Sequence, residues 1–160
     1  MSSGKPIVRQ IAWISLIPQL IIMLILIITA SMIFGPSSPV IDIIILLYFL
    51  YPFISRKLIA RNHQNGIKLF KSGSYAQAIN EFEKSYAFFT RHQWIDKYRF
   101  IALFSASKIS YKEMALLNIA FCYSQIGNGS KAKEYYQKTL QLFPDSEMAK
   151  SALRMLNPLQ

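Results

Sequence analysis

Charge is scarce in this chain, and acid is scarcer still. Of its 160 residues only 16% are charged, and 18 Lys and Arg face 8 Asp and Glu, a net of +10. An ordinary soluble domain carries roughly 25% charged residues. With 52% hydrophobic residues the chain is no disordered polybasic tail, which would be poor in apolar side chains. Nor does a recognised nucleic-acid motif accompany the Lys and Arg residues, so no nucleic acid is expected as a partner. A single cysteine, Cys122, excludes an internal disulfide framework and a Cys-rich zinc site. The two histidines, His63 and His92, stand in no cluster of Asp, Glu or Cys that reads as a metal site. No cofactor is expected.

What the chain does have is segregated. Between Arg9 and Arg56 the one charged residue is Asp42, and residues 11–34 form an apolar run of 24 residues. At 1.5 Å per residue that run spans roughly 36 Å, enough to cross a hydrocarbon core about 30 Å thick. It is too long for the core of a signal peptide and has no small-x-small cleavage site. A second apolar stretch, residues 40–55, reaches only about 24 Å, so Arg56 and Lys57 would have to snorkel or the bilayer thin locally. Residues 35–39 between them read as a turn. Gly35 suits a helix end, and Ser38-Pro39 looks like an N-cap followed by proline at the first helical position. The expected unit is a transmembrane helical hairpin.

Its orientation follows from the flanks. Residues 1–10 carry Lys5 and Arg9, the turn carries no Lys or Arg, and Arg56, Lys57 and Arg61 follow the second helix. Positive-inside asymmetry then expects an integral, multi-pass protein with both termini cytoplasmic and the lipid bilayer as a partner. Arg56, Lys57 and Arg61 are the candidate membrane-surface basic residues. Residues 56–112 hold 11 Lys and Arg against 3 acids, whereas residues 113–160 hold 5 against 4, so the positive charge gathers at the membrane exit. Trp13, Tyr48 and Tyr51 suit interfacial positions. Asp42, near the outer end of its helix, favours the positive end of the helix dipole. Pro18, Gln19 and Pro52 remain unusual for an apolar span.

From residue 58 the pattern turns amphipathic. Aligned on Gly66 and Ala120, two stretches place small residues alike, Gly73 with Gly127 and Ala78 with Ala132. Large residues match too, Leu69 with Tyr123 and Phe82 with Tyr136, and the second stretch closes on Pro144. Small residues let two helices approach closely while the aromatic fills the socket. Ser74-x-x-Gln77 and Ser110-x-x-Glu113 read as capping boxes. Apolar spacing supports helices through Ile79, Phe82, Tyr86 and Phe89, and through Ala132, Tyr136, Leu140 and Phe143.

These residues resemble the tetratricopeptide repeat, a 34-residue helix–turn–helix unit with the same order of small, aromatic, Gly, Ala, aromatic and Pro positions. The resemblance covers residues 58–91 and 113–157, with Ser85 and Thr90 where the family prefers Ala and Pro. It implies an all-α fold: the hairpin, then a domain over 58–157 made of a repeat at 58–91, an insert at 92–110, a repeat at 113–144 and a capping helix at 145–157. The insert, aromatic and basic, reads as core added to a short array, with a lip touching the bilayer or a partner as the competing reading. Nothing between Pro52 and Gly66 forces a break, so the second apolar helix is expected to run directly into the first repeat.

The resemblance further implies a protein or peptide partner held in a groove lined by His63, Ile67, Phe70, Lys71, Asn118, Phe121 and Gln125. Some members of the family hold a C-terminal carboxylate with a Lys/Asn/Asn/Lys/Arg set, of which only Asn118 is present here, so that activity is not carried over. Catalysis is not expected. Cys122 lies within an apolar helix, and Glu81 and Glu83 point to different faces of theirs. Gly127-Asn-Gly-Ser-Lys lacks the ending of a phosphate loop. The expected function is that of a membrane-anchored adaptor at the cytoplasmic face, and the alternative is a structural subunit of a larger membrane assembly, with Pro18, Gln19 and Asp42 packing against other membrane helices.

Overall fold

The structure, a computed structural model, describes residues 16–156. The expectations that concern Lys5, Arg9, Trp13 and the last residue of the capping helix lie outside those residues. Nine helices and no strand occur among the described residues. Contacts divide the chain into two units: residues up to Ser55 together with Tyr98–Ile109, and Arg56–Lys97 together with residues from Ser110 onward. The all-α class with two apolar N-terminal helices ahead of a helical array agrees with the sequence.

The first unit holds α1 (Leu16–Phe34), most of α2 (Pro39–Ile59) and the short α6 (Arg99–Ala102). Both long helices are long and apolar enough to cross a membrane. Leu20, Leu24, Ile28, Leu46, Phe49 and Phe53 are all exposed, the reverse of a soluble core helix. Thr29 and Ser31 turn their hydroxyls back onto the carbonyls of Ile25 and Ile27, so neither presents an unpaired donor. At the turn, the Ser38 hydroxyl accepts from the Val40 N–H at 3.3 Å. The second helix is longer than its apolar run: its 21 residues span about 32 Å, because Arg56 and Lys57 continue the helix rather than end it. Lys and Arg are good helix formers, and they complement the C-terminal end of the dipole.

Residues 98–109 belong with this hairpin. The Gln19 side-chain amide, only 8% exposed, donates to the Phe100 carbonyl at 2.7 Å. The Tyr48 hydroxyl donates to the Gln19 carbonyl, and the Tyr51 hydroxyl donates to the Ala102 carbonyl at 3.0 Å. Phe104 packs its ring 5.0 Å from that of Tyr48 and 5.4 Å from that of Tyr51. The stretch expected to act as one insert is thus divided between the two units after Lys97.

The second unit contains α3 (Arg61–Lys71), α4 (Tyr75–Arg91), the short α5 (Gln93–Lys97), α7 (Tyr111–Gln125), α8 (Gly129–Leu142) and α9 (Glu147–Leu156). The expected uninterrupted run from the second apolar helix into the first repeat is broken at Ala60, whose ψ of 23° departs from helical geometry. The pairs α3/α4 and α7/α8 are built alike. In each, the first helix ends in a Schellman turn: Ser74 N–H bonds the Leu69 carbonyl and Gly73 N–H that of Phe70, and Asn128 and Gly127 repeat the pattern on Tyr123 and Ser124. Gly73 and Gly127 take φ of 80° and 78°, a conformation that glycine adopts without strain.

The helix starts differ. Ser110 caps α7 by accepting from the Glu113 N–H at 3.1 Å, and Asn128 caps α8 by accepting from Lys131 at 3.1 Å. Ser74 makes no side-chain cap to α4, contrary to the capping box read at Ser74-x-x-Gln77; its hydroxyl accepts from that of Ser72 instead. The tight turn brings the two serines together, and that local bond competes with the cap. The last helix begins at Glu147, two residues beyond Asp145, with Ser146 N–H returning to the Phe143 carbonyl.

Two buried clusters hold this unit. One joins Phe70, Ala78, Ile79, Phe82, Ile119 and Cys122; the other joins Leu117, Ala120, Ala132, Tyr136 and Ala149, so α9 closes the apolar face of α8. At Gly66 a Cβ would stand 2.7 Å from the Phe82 ring, which is why the helices can approach only with glycine there. Asp96 supplies the remaining tie. Its buried carboxylate accepts from the Tyr111 N–H at 2.7 Å and the Lys112 N–H at 3.0 Å, so with Ser110 it satisfies the first N–H groups of α7.

Candidate protein-binding surface

The seven groove residues expected from the sequence fall on α3 and α7, and the structure sorts them by depth. His63 and Phe70 are buried; Ile67, Asn118 and Phe121 are half-buried; Lys71 and Gln125 are exposed. The Phe70 ring lies 5.2 Å from Phe121 and 5.8 Å from Tyr75, so the C-terminal half of α3 meets the middle of α7 through aromatic contacts. Tyr75 was not singled out from the sequence. Its position immediately after the Schellman turn, one residue into α4, is the signal that could have found it.

His63 is only 6% exposed and packs edge-on against Phe82 and Tyr111, at ring distances of 5.5 and 5.0 Å. Its Nδ1 lies 3.3 Å from the Ser85 hydroxyl. Burial pushes the imidazole down to about 4, so it is neutral at physiological pH. Ser85, one of the two departures from the repeat pattern, is therefore half of a buried polar pair with His63 between α3 and α4. The other departure, Thr90, buries its hydroxyl with no hydrogen-bond partner among the described residues.

Lys71 and Gln125 are thus the accessible members of the set, with Ile67, Phe121 and Asn118 half-buried. Together these residues carry apolar groups, one cation and amide hydrogen-bonding groups. Of the basic residues that follow α2's apolar stretch, Lys57 and Arg61 are exposed and Arg56 is half-buried. Cys122 is fully buried and its thiol is pushed up to about 12, so it is an inert core residue.

A second polar cluster joins α4, α7 and α8. Lys138 Nζ lies 5.0 Å from the Tyr86 ring and 5.6 Å from Tyr135, Tyr135 stacks on Tyr123 at 5.5 Å, and Lys131 covers Tyr123 at 5.2 Å. The Tyr135 hydroxyl donates to Glu83 at 3.1 Å. Burial, and then the Glu83 charge, push that phenol up to about 12. This cluster ties α4 to the α7/α8 pair through cation–π and stacking contacts.

Among the described residues no group of three or more His, Cys, Asp or Glu could hold a metal ion. No curated protein and no solved structure matches the chain significantly. Residues 114–146 do match a family model, that of the tetratricopeptide repeat, a non-catalytic fold that mediates protein–protein interaction. The matched segment runs from the first turn of α7 through α8 to the start of α9, and with the all-helical array it supports the tetratricopeptide-repeat reading of this part of the chain.

Proposed function

We propose that this chain is a membrane-anchored adaptor whose tetratricopeptide-like helices present a protein-binding surface at the cytoplasmic face. The observation that carries the reading is the repeat match at residues 114–146 in a chain whose α1 and α2 expose their apolar side chains. In this reading α1 and α2 cross the bilayer, and Lys57 and Arg61 lie at the anionic headgroups on the positive side. The partner is a protein or peptide engaging Lys71, Gln125, Phe121 and Asn118 on the inner helices. Hydrogen bonding of Gln19 within its own chain removes one of the residues that the alternative, a packed subunit of a larger membrane assembly, would use.

The test is site-specific photocrosslinking of the full chain in its native membrane. A photoreactive side chain at Lys71 or Gln125 should capture the same protein, and one at the exposed Gln137 on α8 should not. Crosslinks confined to α1 and α2, with none from Lys71 or Gln125, would replace the adaptor by the assembly subunit.

A further inference from the structure

We propose that residues 98–104 form a re-entrant element that dips into the inner leaflet and contacts lipid acyl chains, held there by donors from α1 and α2. The inference rests on the membrane reading above and extends it to a part of the chain that no apolar run marks. Three observations carry it.

The first is hydrogen-bond accounting. A helix as short as α6 satisfies the Tyr98 and Arg99 carbonyls from within the segment and leaves later ones to outside donors, and irregular backbone is tolerated at membrane depth only where other groups satisfy it. Here the side chains that supply the donors come from the two apolar helices. Gln19 serves the Phe100 carbonyl and Tyr51 the Ala102 carbonyl, while Tyr48 serves the carbonyl of Gln19 itself. A segment lying in water would need none of these.

The second is depth. With the Gly35–Ser38 turn at the outer boundary, Tyr48 stands about 14 Å below Pro39, Tyr51 about 18 Å below it, and Gln19 about 22 Å below Phe34. All three depths fall within a hydrocarbon core of about 30 Å, and tilt only reduces them. The Phe100 and Ala102 carbonyls lie within a side chain's reach of Gln19 and Tyr51, the two donors that fall in the inner half of that core.

The third is the outward face. Ile101 and Tyr98, 40% and 47% exposed, are the large side chains that the segment leaves uncovered, while Leu103 is fully buried and Phe104 packs on the two tyrosines. The one charge, Arg99, turns away from that face. Its guanidinium donates to the Ser107 carbonyl at 3.2 Å and the Lys108 carbonyl at 2.8 Å, the backbone pairing that a charge near hydrocarbon requires.

The experiment places an environment-sensitive fluorophore on single introduced cysteines in the full chain, reconstituted in phosphatidylcholine vesicles containing anionic phosphatidylglycerol. The sites are Ile101→Cys, Ser74→Cys in the repeat turn and Leu24→Cys on α1; the parent chain, whose only thiol is the buried Cys122, is the blank. Ile101 and Leu24 should be quenched by acyl-chain nitroxide lipids, with iodide quenching about fivefold weaker than at Ser74. Iodide quenching at Ile101 equal to that at Ser74, with Leu24 still protected, would overturn this inference alone. Iodide access at both Ile101 and Leu24 would overturn the membrane reading with it.

Discussion

Gly66 and His63 are the residues on which the first repeat turns. A Cβ at position 66 meets a fully buried ring at 2.7 Å, and Phe82 has nowhere to move. Gly66→Ala should cost up to about 2 kcal/mol, since overpacking of about 1–3 kcal/mol is set against the roughly 1 kcal/mol gained in helix propensity. Denaturant unfolding of the detergent-solubilised chain checks this, and adding Phe82→Leu should recover part of the loss. His63 sets a pH dependence. Its pKa is about 4 folded and returns towards 6.5 on unfolding, so between those values the unfolded chain binds a proton that the folded chain refuses. The contribution is therefore intact above pH 6.5 and falls as pH drops, by about 2 kcal/mol at pH 5 and about 3 kcal/mol at pH 4. Melting curves across that range should lose this component of slope in His63→Gln.

At the scale of elements, the helix α7 is started by a residue from outside its own repeat. Asp96→Ala leaves the Tyr111 and Lys112 N–H groups without their carboxylate and should destabilise the array by about 1–3 kcal/mol, with Asp96→Asn between that and the parent. Hydrogen exchange should show the loss first in the opening turn of α7. The sequence could not show this tie, because Asp96 and Tyr111 are separated by a detour and no periodicity relates them. What was legible was local. The Schellman glycines follow from the residues around them, and the small-against-aromatic pair Gly66/Phe82 became visible because Ala120/Tyr136 repeats it at the same spacing. Ser74-x-x-Gln77 shows the limit of a local motif, since a neighbouring serine took the hydroxyl that the motif reserved for the helix. Gln19 shows another limit: it read as an oddity in an apolar run, and its partner is 81 residues away. Of the groove, the sequence located the helices but not the depth of each side chain, because buried and exposed positions lie within a single helical turn, as the adjacent Phe70 and Lys71 do.

For the whole molecule, topology is the property with the widest consequences. Asn128-Gly-Ser130 is a glycosylation sequon at the tip of the second repeat turn, where Asn128 already accepts from Lys131 N–H and from the Ser130 hydroxyl. In the proposed orientation, with both termini cytoplasmic, it should remain unmodified when the chain is made in a eukaryotic secretory membrane. A sequon introduced in the exposed turn at Pro36–Ser38 should be the control for access to the lumen. Mobility shift on enzymatic deglycosylation reads both, and glycan at Asn128 would invert the proposed orientation.

The division of residues 92–110 between the two units also imposes an order of assembly. During synthesis α1 and α2 emerge before residues 98–104, and Gln19 and Tyr51 wait for acceptors that the ribosome has not yet made. The first repeat is translated in that interval, and only when residues 98–104 appear does the hairpin gain its last layer. If α1 and α2 cross the bilayer as proposed, release of the nascent chain before that point would leave two donors unsatisfied at membrane depth. Cutting the mature chain before residue 58 would do the reverse, leaving the Phe100 and Ala102 carbonyls, with Phe104, stranded in water.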